Sequence, residues 1–246
     1  MKIDDPLSDV LRSAVERATS GRAVALRLSG RRGSGRSWWL ARARTIAETA
    51  GMTALVGGGV AAERDLPFGT LATLLRPLRN VSVDADTDRV IADVLDHRPT
   101  DIRPIDVHLA VFRLLCRAAT DRPVCLLVDD LDDTDTDTVQ ALTFTARRAD
   151  ADALMLVTAA DADATTPFTT HRIPTMAVDA LVALLVSQGI SLTTAQRCAV
   201  SAGGSPGLAL ALADGLSAAQ RSGAEPTPDL MRPVGSLAEH WLARLR

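Results

Sequence analysis

The sequence predicts an α/β fold: a parallel sheet covered by helices, followed by a smaller all-helical segment. Three observations carry this. Short apolar runs at Ala23–Leu28, Thr53–Val56, Val124–Asp129 and Leu154–Thr158 alternate with stretches of helical periodicity, the pattern of strand–helix–strand crossovers. A glycine-rich loop follows the first run at once. Beyond Met176 the periodicity is helical only.

Taken in order, Asp5-Pro6 reads as an N-cap with proline at the first turn. Leu7, Val10, Leu11, Ala14, Val15 and Ala18 then repeat at helical spacing until Gly21. The helix after the glycine loop carries Trp39, Ala43, Ile46, Ala47 and Ala50 as its buried stripe and stops at Gly51. The segment "GGGVAAERDLPFGTLATLLRPL" reads as a loop and a helix ending near Pro77. A polar connection from Asn80 to Asp88 leads to helices around Thr87–Leu95 and Ile105–Thr120. The second of these has Ile105, Leu109, Phe112, Cys116 and Ala119 on one face. The run "PVCLLVDD" is apolar throughout until its two carboxylates, as in a strand buried on both faces. Thr134 and Asp137 have capping-box spacing for a helix through Arg148, and "HRIPTM" is the last candidate strand.

After that point Val178, Leu181, Val182, Leu185 and Val186 form a helical stripe. Further helices are expected at Thr193–Ala202 and Pro206–Gln220. The stretch "SGAEPTPDLMRPVGS" has the composition of a linker, and a terminal helix carries Leu237, Trp241 and Leu245. The chain therefore divides into an α/β domain over residues 1–175, a helical lid over 176–221, and a linker with terminal helix over 222–246.

Composition narrows the function classes. A net charge of −3 and a sequence pI of about 5.8 provide no global field for nucleic acid or anionic membrane. Aromatics are 3% of the chain, without tyrosine, too few for a base-stacking surface. No helix-turn-helix pattern with basic recognition residues is evident, so direct nucleic acid contact is not expected. Cys116, Cys125 and Cys198 lie far apart in apolar segments, which suits reduced buried thiols rather than disulfides or a zinc site. With no signal core and no apolar run of ~20 residues, the chain reads as a cytoplasmic protein without a membrane span.

The chemistry concentrates in two motifs. "LSGRRGSGRSWWL" has the spacing of a phosphate-binding loop, G-x-x-x-x-G-K-[ST], with arginine at the lysine position. Gly30, Arg31, Arg32, Gly33, Ser34, Gly35, Arg36 and Ser37 are the candidate nucleotide-binding residues. Glycines let the backbone wrap a phosphate, and N–H groups at the helix start donate to it. Ser37 can offer its hydroxyl to Mg²⁺. By itself the loop is equally readable as a solvated Arg/Gly/Ser turn. The second motif is "CLLVDD": Asp129 ends a buried strand where a Mg²⁺-holding carboxylate is needed, and Asp130 is the candidate to orient or activate a water. The two together, each in the right context, predict a P-loop NTPase three-layer sandwich.

Three rival motifs fail. "DDTDTDTVQALTF" resembles a calcium loop, but Thr138 and Phe144 stand where glycine and glutamate belong. Gly203–Gly207 fits G-x-S-x-G, yet no strand precedes it and Pro206 lacks the needed N–H. His97, His108, His171 and His240 have no paired-ligand spacing.

With these motifs in view, the chain resembles the ATPase domain of STAND-class regulators, most of all the large ATP-binding LuxR-family (MalT-like) transcriptional regulators. "AERDLPFGTLATLLRPL", "PVCLLVDDLDDTD", "GGSPGLALAL" and "GSLAEHWLARLR" carry the resemblance along nearly the whole chain. It implies a five-stranded parallel sheet of order 5-1-4-3-2 and a helical lid whose Pro206 contacts the nucleotide. It also implies ATP/ADP with Mg²⁺ as cofactors, and self-association or a regulatory protein as partner. The chain departs from the family at Arg36, at its start, which lacks the Gly-Arg signature, and at Ala159-Ala160-Asp161, where relatives carry an arginine. Three readings follow: a nucleotide-binding regulatory switch with slow or absent hydrolysis, an active ATPase using Arg36, or a nucleotide-free interaction scaffold.

Overall fold

The computed structural model describes residues 6–98, 102–161 and 167–235. It divides into two compact units, Met1–Ser29 with Ser37–Arg172, and Gly30–Arg36 with Ile173–Arg246. The terminal helix expected around Leu237, Trp241 and Leu245 lies outside the described residues.

The first unit is built on five strands: β1 (Val24–Ser29), β2 (Thr53–Gly58), β3 (Val124–Asp129), β4 (Leu154–Ala160) and β5 (Thr169–Arg172). All pairings are parallel and the order is β2-β3-β4-β1-β5, the expected 5-1-4-3-2. The register sets Gly58 opposite Asp129, and Ser29 opposite both Ala160 and Arg172, at the carboxyl edge. Every residue of β4 is buried. Apolar side chains on both faces explain why the central strands read as continuous hydrophobic runs.

Among the described residues six α-helices accompany these strands. Helix α1 (Pro6–Thr19) packs on β1 and β4, burying Leu7, Leu11, Ala14, Val15 and Ala18 as its periodicity requires. Helix α2 (Arg36–Thr49) follows the glycine loop. It buries Trp39, Ala43 and Ala47, while Ala50 is exposed past its end. Helices α3 (Gly69–Leu75), α4 (Ala85–Leu95), α5 (Pro104–Asp121) and α6 (Thr136–Arg148) share one hydrophobic cluster with Leu55, Leu126 and Leu156 of the sheet.

Two expectations are corrected here. The buried face of α5 is Val107, Val111, Leu114, Leu115 and Ala118, whereas Ile105 and Leu109 are exposed. Both faces of this helix are apolar enough to satisfy the periodicity, and packing on α4 and α6 decides between them. The N-cap of α6 is Asp135, not Thr134. Its carboxylate accepts from Thr138 N at 2.8 Å and Thr138 Oγ1 at 2.8 Å. It also accepts from Phe68 N at 3.0 Å and Thr70 N at 3.1 Å. One buried side chain therefore satisfies free donors at the starts of both α6 and α3. Phe68 has φ 58, an uncommon conformation for a bulky residue, and its N–H is one of those that Asp135 holds.

The second unit holds helices α7 (Val178–Ser187), α8 (Leu192–Ser201), α9 (Pro206–Asp214) and α10 (Ala218–Ser222). Its core is Leu181, Leu185, Ile190, Ala195, Cys198, Ala199, Leu212 and Leu216. The single helix expected over Pro206–Gln220 is broken. Gly215 caps α9 and Ser217 opens α10 with a full capping box, a start signal strong enough to interrupt the apolar period. Residues 222–235 pack back on this unit despite their linker composition. Val234 N donates to Ala211 O at 3.2 Å, Arg197 donates to Thr227 O at 3.1 Å, and Met231 joins the core. Among the described residues no helix is long and apolar enough to cross a membrane.

Candidate functional site

In the first unit the carboxyl edge of the sheet brings Ser37 and Asp129 together. Ser37 lies in the first turn of α2 and Asp129 ends β3, and the Ser37 hydroxyl donates to Asp129 Oδ2 at 2.5 Å. The other oxygen, Asp129 Oδ1, accepts from Asp130 N at 2.8 Å. Asp130 takes a left-handed conformation, φ 42 and ψ 52, which aspartate tolerates better than most residues. That kink turns the chain from strand into a 3-10 turn over Leu131–Asp133. The Asp130 carbonyl accepts from Asp133 N at 2.8 Å.

Three residues to which sequence reasoning assigned no role in the site hold this turn. Gly59 N donates to Asp129 O at 3.0 Å. A Cβ at Gly59 would lie 2.3 Å from Thr134 N and 2.4 Å from Asp130 O, so only glycine fits. Arg64 donates to Asp132 O and to Asp133 Oδ1, each at 2.5 Å. The signal for Gly59 was present in the triple glycine after the second strand. Arg64 offered none. The third is Asp132, whose Oδ2 accepts from Asp161 N at 2.7 Å at the end of β4. Burial pulls the Arg27 guanidinium below its ordinary value, and the Asp132 carboxylate opposes that shift.

The glycine loop itself, Gly30–Arg36, belongs with the second unit. Gly33 and Gly35 have φ 86 and 96, the region glycine enters without penalty. Ser34 N donates to Arg31 O at 3.0 Å, closing a turn. A Cβ at Gly30 would lie 2.5 Å from Ser34 Oγ. That hydroxyl is buried and makes no hydrogen bond within the described residues. Arg31 is exposed and Arg32 half-buried. Arg36 is 5% exposed, so it is not the side chain of a solvated turn. The same unit brings the loop to the start of α9. Gly207 N and Ser205 Oγ both donate to Gly33 O, at 2.8 and 2.9 Å. Pro206, at the first turn of α9, has its Cγ 3.7 Å from the point where a Cβ on Gly35 would stand.

Each unit thus contributes its own chemistry: an anion cradle in the loop of the second, and a hydroxyl–carboxylate pair at the sheet edge of the first. The cradle has backbone N–H groups at a helix start and an unspent serine hydroxyl. The pair offers two hard oxygen ligands suited to Mg²⁺. His108 of the first unit is buried against Phe144, at 5.6 Å between ring centroids. Burial lowers its pKa, opposed by Asp137.

The AAA ATPase domain family matches residues 5–157. Among solved structures the chain is similar to Cdc6p from Pyrobaculum aerophilum, at 17% identity and a TM-score of 0.58, over 88% of this chain and 61% of that one. At that identity the likeness concerns the fold, and this chain spans less than two thirds of that protein's length. No curated protein sequence matches this chain.

Proposed function

We propose that this chain, which belongs to the AAA ATPase domain family, is a nucleotide-binding regulatory switch with slow or absent hydrolysis. The observation that carries this reading is the 2.5 Å contact of Ser37 with Asp129. The two oxygen donors that Mg²⁺ would share in such a site come from positions far apart in sequence, and they meet at a sheet edge where α/β proteins bind ligands. Ser34 Oγ, buried and without a hydrogen-bond partner among the described residues, and Gly30, where a Cβ would collide with it, fit a loop shaped for phosphate oxygens.

In this reading Gly30–Ser37 hold the phosphates of ATP or ADP, and Pro206 abuts the nucleotide. Ser37 and Asp129 hold Mg²⁺, which when bound neutralises phosphate charge. Asp130 orients a water. Arg36 supplies the cation. A guanidinium can donate bidentately to phosphate, but it is longer and planar and does not copy a compact ammonium. Displacement of a reacting group by ~1 Å costs about 100-fold in rate. Binding on backbone N–H groups tolerates this exchange better than catalysis does. The resemblance to STAND-class LuxR-type regulators supports a switching role, with self-association or a regulatory protein as its output.

A second reading, turnover with Arg36 in place of lysine, has one observation in its favour. Lys2 is the only lysine among 27 basic Lys and Arg side chains. Arginine at position 36 thus follows the usage of the whole chain and does not by itself mark a lost activity.

Calorimetric titration with ATP, ADP and GTP, with and without Mg²⁺, tests the proposal. Saturable adenine nucleotide binding strengthened by Mg²⁺ is expected. Absence of binding would leave only the scaffold reading. A phosphate-release assay then separates the switch from the working ATPase.

A further inference from the structure

A phosphate loop works by presenting its N–H groups while turning its carbonyls, which carry negative partial charge, away from the anion. Glycine makes this easy to achieve and easy to lose. With φ 86 at Gly33, the peptide linking Gly33 to Ser34 is free of the steric barrier that holds other residues in one orientation. Within the loop one bond, Ser34 N to Arg31 O at 3.0 Å, holds the N–H side of that peptide; its carbonyl side is held from outside the loop.

In the second unit that peptide is held by the start of α9. The Gly33 carbonyl accepts two hydrogen bonds, from Gly207 N at 2.8 Å and from Ser205 Oγ at 2.9 Å. Ser205 is also the N-cap of α9, its oxygen accepting from Leu208 N at 3.3 Å. Its hydroxyl therefore serves two partners at once, giving its proton to the loop and its lone pair to the helix. Gly207 is equally constrained. A Cβ there would lie 2.6 Å from Gly33 Cα and 3.0 Å from Gly33 O, so any side chain would push the loop away. Gly204, one residue before Ser205, has φ 86, and its carbonyl accepts from Met176 N at 2.9 Å. The turn that delivers Ser205 is thereby anchored to the segment leading into α7.

We propose that Ser205 and Gly207 are positioning residues of the phosphate loop: together they latch the Gly33 carbonyl onto the start of α9 and so fix the orientation of the loop's N–H groups. This rests on the reading of Gly30–Ser37 as a phosphate site. It differs from a contact with the base, because the latch acts on the loop and therefore on the phosphates alone.

The test uses the full chain with Ser205→Asp, Ser205→Thr and Gly207→Ala. Aspartate caps a helix as well as serine does but is acceptor-only when ionised, so Ser205→Asp keeps the cap and removes the hydroxyl half of the latch. Threonine keeps both. The first readout is hydrogen–deuterium exchange of residues 30–37 without nucleotide. Exchange there is expected to rise about 5- to 10-fold, the equivalent of one lost neutral hydrogen bond, in Ser205→Asp and Gly207→Ala. Ser205→Thr should match wild type, and exchange in α7 and α8 should stay unchanged in all three. The second readout is calorimetric affinity for ADP and for pyrophosphate. Both should fall together in Gly207→Ala, by a similar factor, and stay at the wild-type value in Ser205→Thr. Unchanged loop exchange in both Ser205→Asp and Gly207→Ala overturns the proposal. So does faster exchange with unaltered ADP and pyrophosphate affinity. A fall for ADP without one for pyrophosphate also overturns it, because the effect would then run through the base. Faster loop exchange in a protein whose wild type binds neither probe supports the latch and overturns the nucleotide reading. If Gly207→Ala does not fold, Ser205→Asp against Ser205→Thr decides by loop exchange.

Discussion

The Ser37 hydroxyl donates to Asp129 Oδ2 at 2.5 Å, joining the first turn of α2 to the last residue of β3. In a metal-bound state both oxygens would turn to Mg²⁺. Ser37→Ala and Asp129→Asn are therefore expected to remove most of the Mg²⁺-dependent gain in ATP affinity, about 1–3 kcal/mol, and to leave metal-free ADP binding nearly unchanged. Titrations in Mg²⁺ and in EDTA measure this. Equal losses with and without the metal would show that the pair is structural.

Arg36 gives the sharpest test of the altered loop. Removing its charge-assisted contact by Arg36→Ala should weaken ATP binding by about 1.5–3 kcal/mol. Arg36→Lys restores the common pattern and should preserve or improve Mg²⁺–ATP affinity. Steady turnover in wild type that slows in Arg36→Lys would instead favour the working ATPase. No change of affinity in either variant would remove Arg36 from the site, leaving its burial as a matter of packing.

Asp135 carries a stability prediction. Its carboxylate accepts four hydrogen bonds, two of them from the backbone at the start of α3. Asp135→Ala removes a helix cap, worth ~1 kcal/mol, and strands buried N–H groups at ~1–3 kcal/mol each. A loss of about 2–4 kcal/mol is expected by urea denaturation. A loss below ~1 kcal/mol would mean that water replaces the carboxylate freely.

His108 sets a pH dependence. It is 8% exposed, its Nε2 has no hydrogen-bond partner within the described residues, and burial lowers its pKa. The unfolded chain therefore takes up the proton first. Stability is full above the unfolded pKa of ~6.5 and falls as pH drops below it, by up to about 1.4 kcal/mol per pH unit, until the folded pKa is passed. His108→Phe should flatten the stability profile between about pH 5 and 6.5. An unaltered profile would place the acid sensitivity elsewhere.

The sheet and the two motifs were legible because each rests on local pattern. Continuous apolar runs with flanking helices dictate buried parallel strands. The glycine spacing Gly30–Gly35 and the run ending in Asp129 mark chain turns that few other residues permit. Sequence alone therefore determined the α/β class, the strands β1 to β4, and the candidate roles of Ser37 and Asp129.

What only the tertiary structure decided are the pairings between distant segments. Helix α5 is apolar on two faces, and its neighbours chose Val107, Val111 and Leu114 over Ile105 and Leu109. Spacing favoured Thr134 as the cap of α6. Asp135 took that place because it alone also reaches the donors of Phe68 and Thr70. Gly59 read as a loop glycine and Gly207 as part of a helix until the backbone lying 2.3–2.6 Å from their missing Cβ atoms was known. In each case one residue answers to two segments at once. A linear pattern reports the demand of its own segment and is silent about the other.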